Sequence, residues 1–464
     1  MSTDVDNGSS LQSRIRTLPS DTKLWVSSRG VVTVSDLCNE ISSRQDELQR
    51  FRGSKVALQF EDDLLLAKAL VLLDGVAQQI FLLPSDISPS IADQFLVKSE
   101  STVLLTDSPS RPSAPNVACS SSWSGGELPM FDSQPSVLAG TTDWILATSG
   151  TTGVPKLVVH SVLTLTRSVR PNVEKGRSFC WGLLYELARF AGLQVYLQAM
   201  VSGSILVFPE RGMSFDKRLR FLAESGCNAL SATPTMWRKI MMSATGELLQ
   251  LKQVTLGGEI ADQNLLTALT RRYPAARVVH IYASTEAGVG FAVKDAIVGF
   301  PADWIETPPS GIFLKVDSDG MLYIRADRQH QSYLADEGGP LVGEEGYICT
   351  GDIVRKSKGR YLFQGRSSGA INVGGSKVHP EEVEEVLLEL PEVSLCRVYA
   401  RSNPFTGQLV VADVVPTDRD LESAQLQEVV VNHCRAKLPP FKVPALVNKV
   451  EDLSLSTMGK VIRP

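Results

Sequence analysis

KVALQF (Lys55–Phe60), DLLLAKALVLLD (Asp63–Asp74) and QIFLLP (Gln79–Pro84) follow one another with almost nothing between them. The outer two are short apolar runs of strand length, and the middle one has the length and composition of a helix. A strand, a helix and a second strand in such close order require a crossover connection, so the two strands lie parallel. The cadence returns downstream. SGSILVFP (Ser202–Pro209) reads as a strand, and FDKRLRFLAESG (Phe215–Gly226) as a helix closed by glycine. CNALSATP and KQVTLGG are further strands, and ADQNLLTALTRRYP is a helix leading into the strand ARVVHIY. The fold class is therefore α/β. No repeat of solenoid length interrupts it.

Beyond about Gly290 the pattern changes. GIFLKVDSDGMLYIRA places two alternating runs around Asp317–Gly320, and EEGYICTGDIVRKSKGRYLFQGR does the same around Lys358–Gly359. Both predict antiparallel hairpins at the edge of the large body. From Arg366 onward, a Gly-rich loop, an acidic helix over His379–Leu390, a strand and a helix over Asp420–Lys437 fit a small α+β domain. The expected organisation is a disordered start over residues 1–20, a large multi-sheet N-terminal domain over 21–365, and a small mobile C-terminal domain over 366–464.

Composition narrows the classes of function. The chain has 464 residues, 43% hydrophobic and 21% charged, with a net charge of −5, which suits a multidomain globular protein. That balance gives no case for nucleic-acid or membrane-surface binding. The seven cysteines are scattered and form no C-x-x-C pair, so buried free thiols are expected rather than a disulfide framework or a zinc site. The N-terminus lacks the apolar core of a signal peptide, and the most apolar stretch, Leu64–Leu83, is broken by Lys68 and Asp74. A cytoplasmic protein without a membrane span is expected.

The strongest chemical signal is WILATSGTTGVPKLVVHS (Trp144–Ser161). Small hydroxyl residues and two glycines over Thr148–Lys156 allow backbone N–H groups and hydroxyls to wrap a polyphosphate, and Lys156 adds charge. A P-loop would need G-x-x-x-x-G-K-[ST]. Here Gly150 and Gly153 are three apart and Pro155 precedes the lysine, so the kinase or GTPase reading fails on spacing. Further along the chain stand Gly257-Gly-Glu259, Tyr282-Ala-Ser-Thr-Glu286, Thr350-Gly-Asp352, Gly365-Arg366, Ala370–Glu384 and Leu453–Arg463.

Taken in order, these motifs resemble those of the adenylate-forming superfamily, which includes acyl-CoA synthetases, nonribosomal-peptide adenylation domains and firefly-type luciferases. The resemblance covers roughly residues 50–464. It implies that Thr148, Ser149, Gly150, Thr151, Thr152, Gly153 and Lys156 hold the phosphates of ATP, with Thr152 and Lys156 taking part in catalysis. By the same likeness Gly258 and Glu259 border the adenine, Tyr282 stacks on it, and Ala283, Ser284 and Thr285 complete the nucleotide site. Thr285 would contact the α-phosphate and Glu286 would hold Mg²⁺. Asp352 and Arg366 would bind the ribose, and Lys460 would bridge the substrate carboxylate and the α-phosphate.

The sequence departs from the family pattern at four places. Ala283 stands where glycine is common, Ser368 where a hinge aspartate is common, Ser454 where proline is common, and Arg189 where histidine precedes Gly192. The hinge is placed at Arg366, Ser367 and Ser368, and Gly374 and Gly375 are expected to border the path of an acceptor thiol. Tyr185, Arg189, Phe190, Gly192 and Gly257 are candidates for the acyl pocket. Arg189 either lines that pocket, favouring a polar or second acidic group, or pairs with Glu186 or another acid.

The resemblance implies a ligase that activates a small carboxylic acid as an acyl-adenylate and passes it to a thiol. Coenzyme A is the first choice of acceptor, and the phosphopantetheine of an acyl or peptidyl carrier protein the second. A non-catalytic nucleotide- or acyl-binding homologue is the alternative from another class. Monomer and homodimer both remain open.

Overall fold

The computed structural model describes residues 10–463 apart from 109–116, 118, 129–140, 149–155, 170, 310, 328–331, 335–339, 344, 405 and 457–458. Within these residues the opening strand–helix–strand segment takes the predicted form. Lys55–Gln59 pairs in parallel with Gln79–Leu82, with Val56 level with Ile80, and in parallel with Val103–Thr106 on its other side. The helix between the first two strands, Asp63–Leu73, is capped by Asp62, whose carboxylate accepts from the N–H groups of Leu64 and Leu65. Its apolar residues are not confined to one face, so it is buried almost throughout, wedged between sheets rather than lying on the surface.

This first sheet has seven strands. Asp143–Ala147 joins its parallel centre beside Gln79–Leu82, and Leu157–His160 returns antiparallel to it. Thr148 and Lys156, the described ends of the phosphate-binding candidate, thus adjoin the two strands of an antiparallel pair.

A second sheet of eight strands supplies the floor of the site. Cys180–Gly182, Ile205–Phe208, Ala229–Ala232, Gln253–Gly257 and Arg277–Ser284 run parallel, and Gly288–Val293 closes one edge antiparallel. The helix Phe190–Ser202 crosses near this sheet and ends at Gly203, whose left-handed backbone (φ 65°) closes it.

The two predicted hairpins form. Ile312–Val316 pairs with Met321–Ala326, and Ile348–Ser357 with Arg360–Arg366, in a five-stranded antiparallel sheet of their own rather than as an edge of a parallel one. A single 3-10 turn, Ser367–Gly369, then leads to a fourth sheet. There the strands Val393–Asn403 and Gly407–Pro416 pack under the helices Pro380–Leu387 and Ser423–Lys437 around a separate apolar core.

Two expectations need correction. The start of the chain is not disordered as far as residue 20: Leu11–Arg16 is a helix capped by Ser10, and Leu11 and Ile15 are buried in the main core. A polar composition hid two apolar residues one turn apart, and one turn suffices when a buried acceptor waits. The Leu11 N–H donates to Asp74 Oδ2 at 2.7 Å, while Trp144 Nε1 holds the other oxygen at 3.0 Å. Nor are all the thiols buried, since Cys349 is exposed near the start of the central strand of the hairpin sheet. No described helix is long and apolar enough to cross a membrane.

Replacing Ile15 by Ala should lower the unfolding free energy by about 2–5 kcal/mol, the usual cost of emptying a packed aliphatic site. Chemical denaturation measures it. A change near zero would mean that the first helix is not part of the cooperative core.

Candidate active site

A cavity of about 820 Å³ opens where the carboxyl ends of the parallel strands of the second sheet meet the hairpin of the first. Crevices at this end of parallel strands are where open α/β sheets bind ligands. At the base of the hairpin, the Thr148 N–H donates to the Lys156 carbonyl at 2.8 Å and the Lys156 N–H donates to Thr148 Oγ1 at 3.0 Å. Both residues line the cavity, and the Lys156 ammonium lies 4.5 Å from the centre of the Tyr333 ring. Ser149, Gly150, Thr151, Thr152 and Gly153 lie outside the described residues.

The strand Arg277–Ser284 delivers Ala283, Ser284, Thr285 and Glu286 to the cavity wall. Its junction with the hairpin rests on His160, which the sequence reading missed. His160 Nε2 lies 2.8 Å from the Thr285 carbonyl, which can only accept, so this nitrogen carries the proton. Burial pushes its pKa down to about 4, keeping the ring neutral. Arg167 reinforces the junction by donating to the carbonyls of Ala287 and Val289. The only sequence signal was a histidine four positions beyond Lys156 on an apolar strand.

Tyr282 is placed differently from its expected role on adenine. It does not line the cavity: its ring stacks with Phe291 and Phe363 at centroid distances of 5.2 and 5.1 Å, and its hydroxyl donates to Asp352. Asp352 also lies 3.4 Å from Arg366 Nε. Burial raises the Asp352 pKa, with Arg366, the Tyr282 hydroxyl and Lys460 opposing that rise.

Lys460 enters the cavity from the C-terminal domain. A Cβ built on Gly258, whose φ is +81°, would lie only 3.2 Å from Lys460 Cε, so this position gives the lysine its passage. Burial lowers the Lys460 pKa, opposed by Glu259, Asp352 and Glu286 and assisted by Arg366. The loop that carries it is pinned to the large body. Glu259 accepts from the Val461 N–H at 3.2 Å and from the Thr235 N–H at 2.9 Å, and Thr233 Oγ1 donates to the Gly459 carbonyl at 2.5 Å. Lys239 adds an ion pair to Asp452 at 2.8 Å. Glu259 therefore faces the loop that carries Lys460, a contact the sequence did not disclose.

For the acyl-pocket candidates, Tyr185, Arg189, Phe190 and Gly257 reach the cavity lining, while Gly192 is buried in the helix behind it. Arg189 contacts Glu186 at 3.2 Å and Asp86 at 2.5 Å, so it lines the cavity and pairs with acids at once, joining the two readings left open. Glu186 also receives Ser85 and lies 3.4 Å from Arg211, which itself grips Asp63.

Residues 72–353 match the family model of the AMP-binding enzymes, and residues 382–460 match the model of the AMP-binding enzyme C-terminal domain. The chain belongs to the AMP-binding enzyme family, within the adenylate-forming superfamily. Among curated relatives, it is 24% identical over 354 residues to a D-alanine–D-alanyl carrier protein ligase of Staphylococcus aureus, covering 72% of each chain. It is 24% identical over 360 residues to a dimodular nonribosomal peptide synthase of Bacillus subtilis. That match takes in 69% of this chain but 15% of the synthase, and a synthetase of Salinispora arenicola is spanned over only 4% of its length. Among solved structures, an anthranilate CoA ligase, AuaEII, in complex with anthranoyl-AMP superposes with a TM-score of 0.82 at 18% identity, covering 99% of this chain and 97% of that one.

In this AMP-binding enzyme Arg366 and Ser368, two of the three hinge candidates, line the cavity, and Ser367 begins the 3-10 turn. Gly374 and Gly375 form the turn between Ile371–Val373 and Ser376–Val378 and are not part of the cavity lining.

Gly459 has a φ of +68°, and a Cβ there would meet Met236 Cε at 2.3 Å. Gly459→Ala should therefore loosen the docked loop at a cost of about 1–2 kcal/mol, the penalty of a left-handed non-glycine residue. ATP–pyrophosphate exchange should fall by about tenfold, with the thermal midpoint of unfolding nearly unchanged. Equal exchange rates in the two proteins would show that the loop's docking does not govern the reaction.

Proposed function

We propose that this protein is an AMP-forming acid–thiol ligase that activates a carboxylic acid as its acyl-adenylate and transfers the acyl group to coenzyme A. The observation that carries this reading is the Lys460 ammonium, brought from the C-terminal domain into the cavity beside Gly258, under the electrostatic influence of Glu259, Asp352 and Glu286. Its anionic neighbours oppose the loss of charge that burial favours, which suits a group that must sit between two anions.

In the first half-reaction a carboxylate oxygen of the acid forms a bond to the α-phosphorus of ATP while the bond to the pyrophosphate oxygen breaks. Lys460 neutralises the charge that accumulates between carboxylate and α-phosphate. Lys156 and the hairpin over 148–156 hold the departing phosphates, in Thr152's case by the family likeness. Arg366 and Asp352 are the ribose ligands, with the Tyr282 hydroxyl holding Asp352 in place. In the second half-reaction a thiolate attacks the acyl carbonyl carbon and AMP departs with the bonding electrons.

Magnesium fits the donor set. Glu286 is a half-buried carboxylate on the cavity wall, and no cluster of three or more acidic, histidine or cysteine side chains competes for an ion among the described residues. One carboxylate plus substrate phosphates is an ordinary Mg²⁺ environment. When bound, the ion would shield the phosphate charge.

Between the half-reactions, residues 366–464 swing about Arg366–Ser368, withdrawing Lys460 and carrying the Gly374–Gly375 turn toward the acyl-adenylate. The position of that turn away from the cavity while Lys460 occupies it supports such an alternation. Coenzyme A as acceptor is favoured by the likeness to a CoA ligase over almost the whole chain. A carrier-protein thiol is the second reading, favoured by the likeness to a carrier protein ligase.

Lys460→Ala should reduce ATP–pyrophosphate exchange by about 10²–10³-fold, the typical loss on removing one charge-stabilising donor. It should leave thioester formation from a supplied acyl-adenylate largely intact. Full exchange in that variant would overturn the assignment, as would exchange supported by no acid in a broad panel. The pH dependence has a defined sign. The protonated lysine is the active form, and its pKa lies below the ordinary lysine range, so exchange in the wild type falls as pH rises through that lowered value. A pH–rate profile flat through the alkaline range would contradict this.

A further inference from the structure

The cavity does not end at the catalytic lysine. It continues between the second sheet and the helix Phe190–Ser202 to the opposite ends of the strands. Its floor is one face of two neighbouring strands, Gly257, Thr255 and Gln253 on one and Ile281, Val279 and Arg277 on the other. The alternation follows from the two-residue period of a strand. Register pairs Gly257 with Ile281 at the catalytic end and Gln253 with Arg277 at the far end. Four residues of strand separate these levels, about 13 Å. The roof is the helix face bearing Phe190, Gln194, Gln198 and Ser202, each four residues from the last.

The far end is cationic. Arg277, Lys294 and Lys175 all line it and all reach the surface. His280 pairs with Val293, so Lys294 falls level with Val279, one pleat from Arg277 on the neighbouring strand. Like charges so placed on one face repel each other. None of the three forms an ion pair with another described residue: Asp295, which follows Lys294, is engaged with Arg360 at 2.8 Å, and Glu174, which precedes Lys175 on the short helix Val173–Gly176, does not line the cavity. Arg277 spends only its Nε, donating to Gln253 at 3.0 Å, which leaves the two terminal nitrogens of its guanidinium for another acceptor. Glu286, the one acid among the described lining residues, stands at the opposite, catalytic end.

We propose that the acid activated here is elongated and carries a second anionic group at its distal end, received by Arg277 and Lys294 with Lys175 at the mouth. This rests on the adenylating reading above. The middle of the channel, between Val195, Trp181 and Ile281, takes an apolar or aromatic spacer, and the reacting carboxylate lies at Lys460. An uncharged fatty tail of the same length would end among unpaired cations and glutamine side chains, gaining little from burial there.

The test is ATP–pyrophosphate exchange with acids of matched length whose far end is a methyl, a carboxylate, a phosphonate or an ammonium group. Preference for the carboxylate or the phosphonate series is expected, and the difference between those two arms identifies the distal anion. Arg277→Gln and Lys294→Gln should each lower the anionic-to-methyl ratio of kcat/KM by about fivefold, as expected for a partly exposed charge pair, through KM rather than kcat. Lys294→Glu should move the preference toward the ω-ammonium acids. Exchange that favours the methyl series, or an anionic preference unchanged in both glutamine variants, overturns this proposal and leaves the ligase reading standing. Exchange with no acid of any series overturns both.

Discussion

The structure depends on bringing one ammonium group, Lys460, out of water and into a cavity that already holds cations. Arg366 and Lys156 line the same cavity, and burial pulls the lysine's pKa down. Two things make the arrangement tenable. The carboxylates of Glu259, Asp352 and Glu286 offset the desolvation, and the loop's backbone is tied to the large body by Thr233 and Glu259. Those ties recruit the starts of two elements, the helix Pro234–Met242 and the turn after Gly257, to hold a segment more than two hundred residues away in sequence.

The α/β class and the parallel pairing were legible from Lys55–Pro84, since an apolar helix flanked by short apolar strands has few other solutions. Hairpin turns were legible because Asp317–Gly320 and Lys358–Gly359 carry the residue types such turns need; Lys358 and Gly359 both take positive φ. The short N-terminal helix was not, because its stability comes from Asp74 and the core rather than from its own composition.

The candidate site was legible as an ordered set of motifs and illegible as a set of contacts. Motif order brought Lys156, Glu286, Asp352, Arg366 and Lys460 to one place. It could not show that Tyr282 would turn its hydroxyl to Asp352 and its ring to Phe291 and Phe363, because Asp352 and Phe363 lie in another sheet and Phe291, its direct neighbour across the sheet, belongs to none of the motifs. His160 was missed for a similar reason: a buried neutral histidine bonding one carbonyl has no sequence pattern. Glu259 was found, but for its neighbourhood to the nucleotide rather than for its grip on Thr235 and Val461.

The short passage from the hairpin sheet to the C-terminal sheet has two functions at once. Arg366 and Ser368 lie between the hairpin sheet and the C-terminal sheet and also line the cavity. If the small domain turns there, whatever fills the cavity alters the free energy of the joint, and the angle of the joint alters the affinity of the cavity by the same factor. The proposed mechanism would then need no separate sensor for completion of its first half-reaction. On the proposed reaction, replacing ATP by acyl-adenylate and releasing pyrophosphate would change the contents of the cavity against Arg366 and Ser368, and the orientation of the small domain would follow by reciprocity.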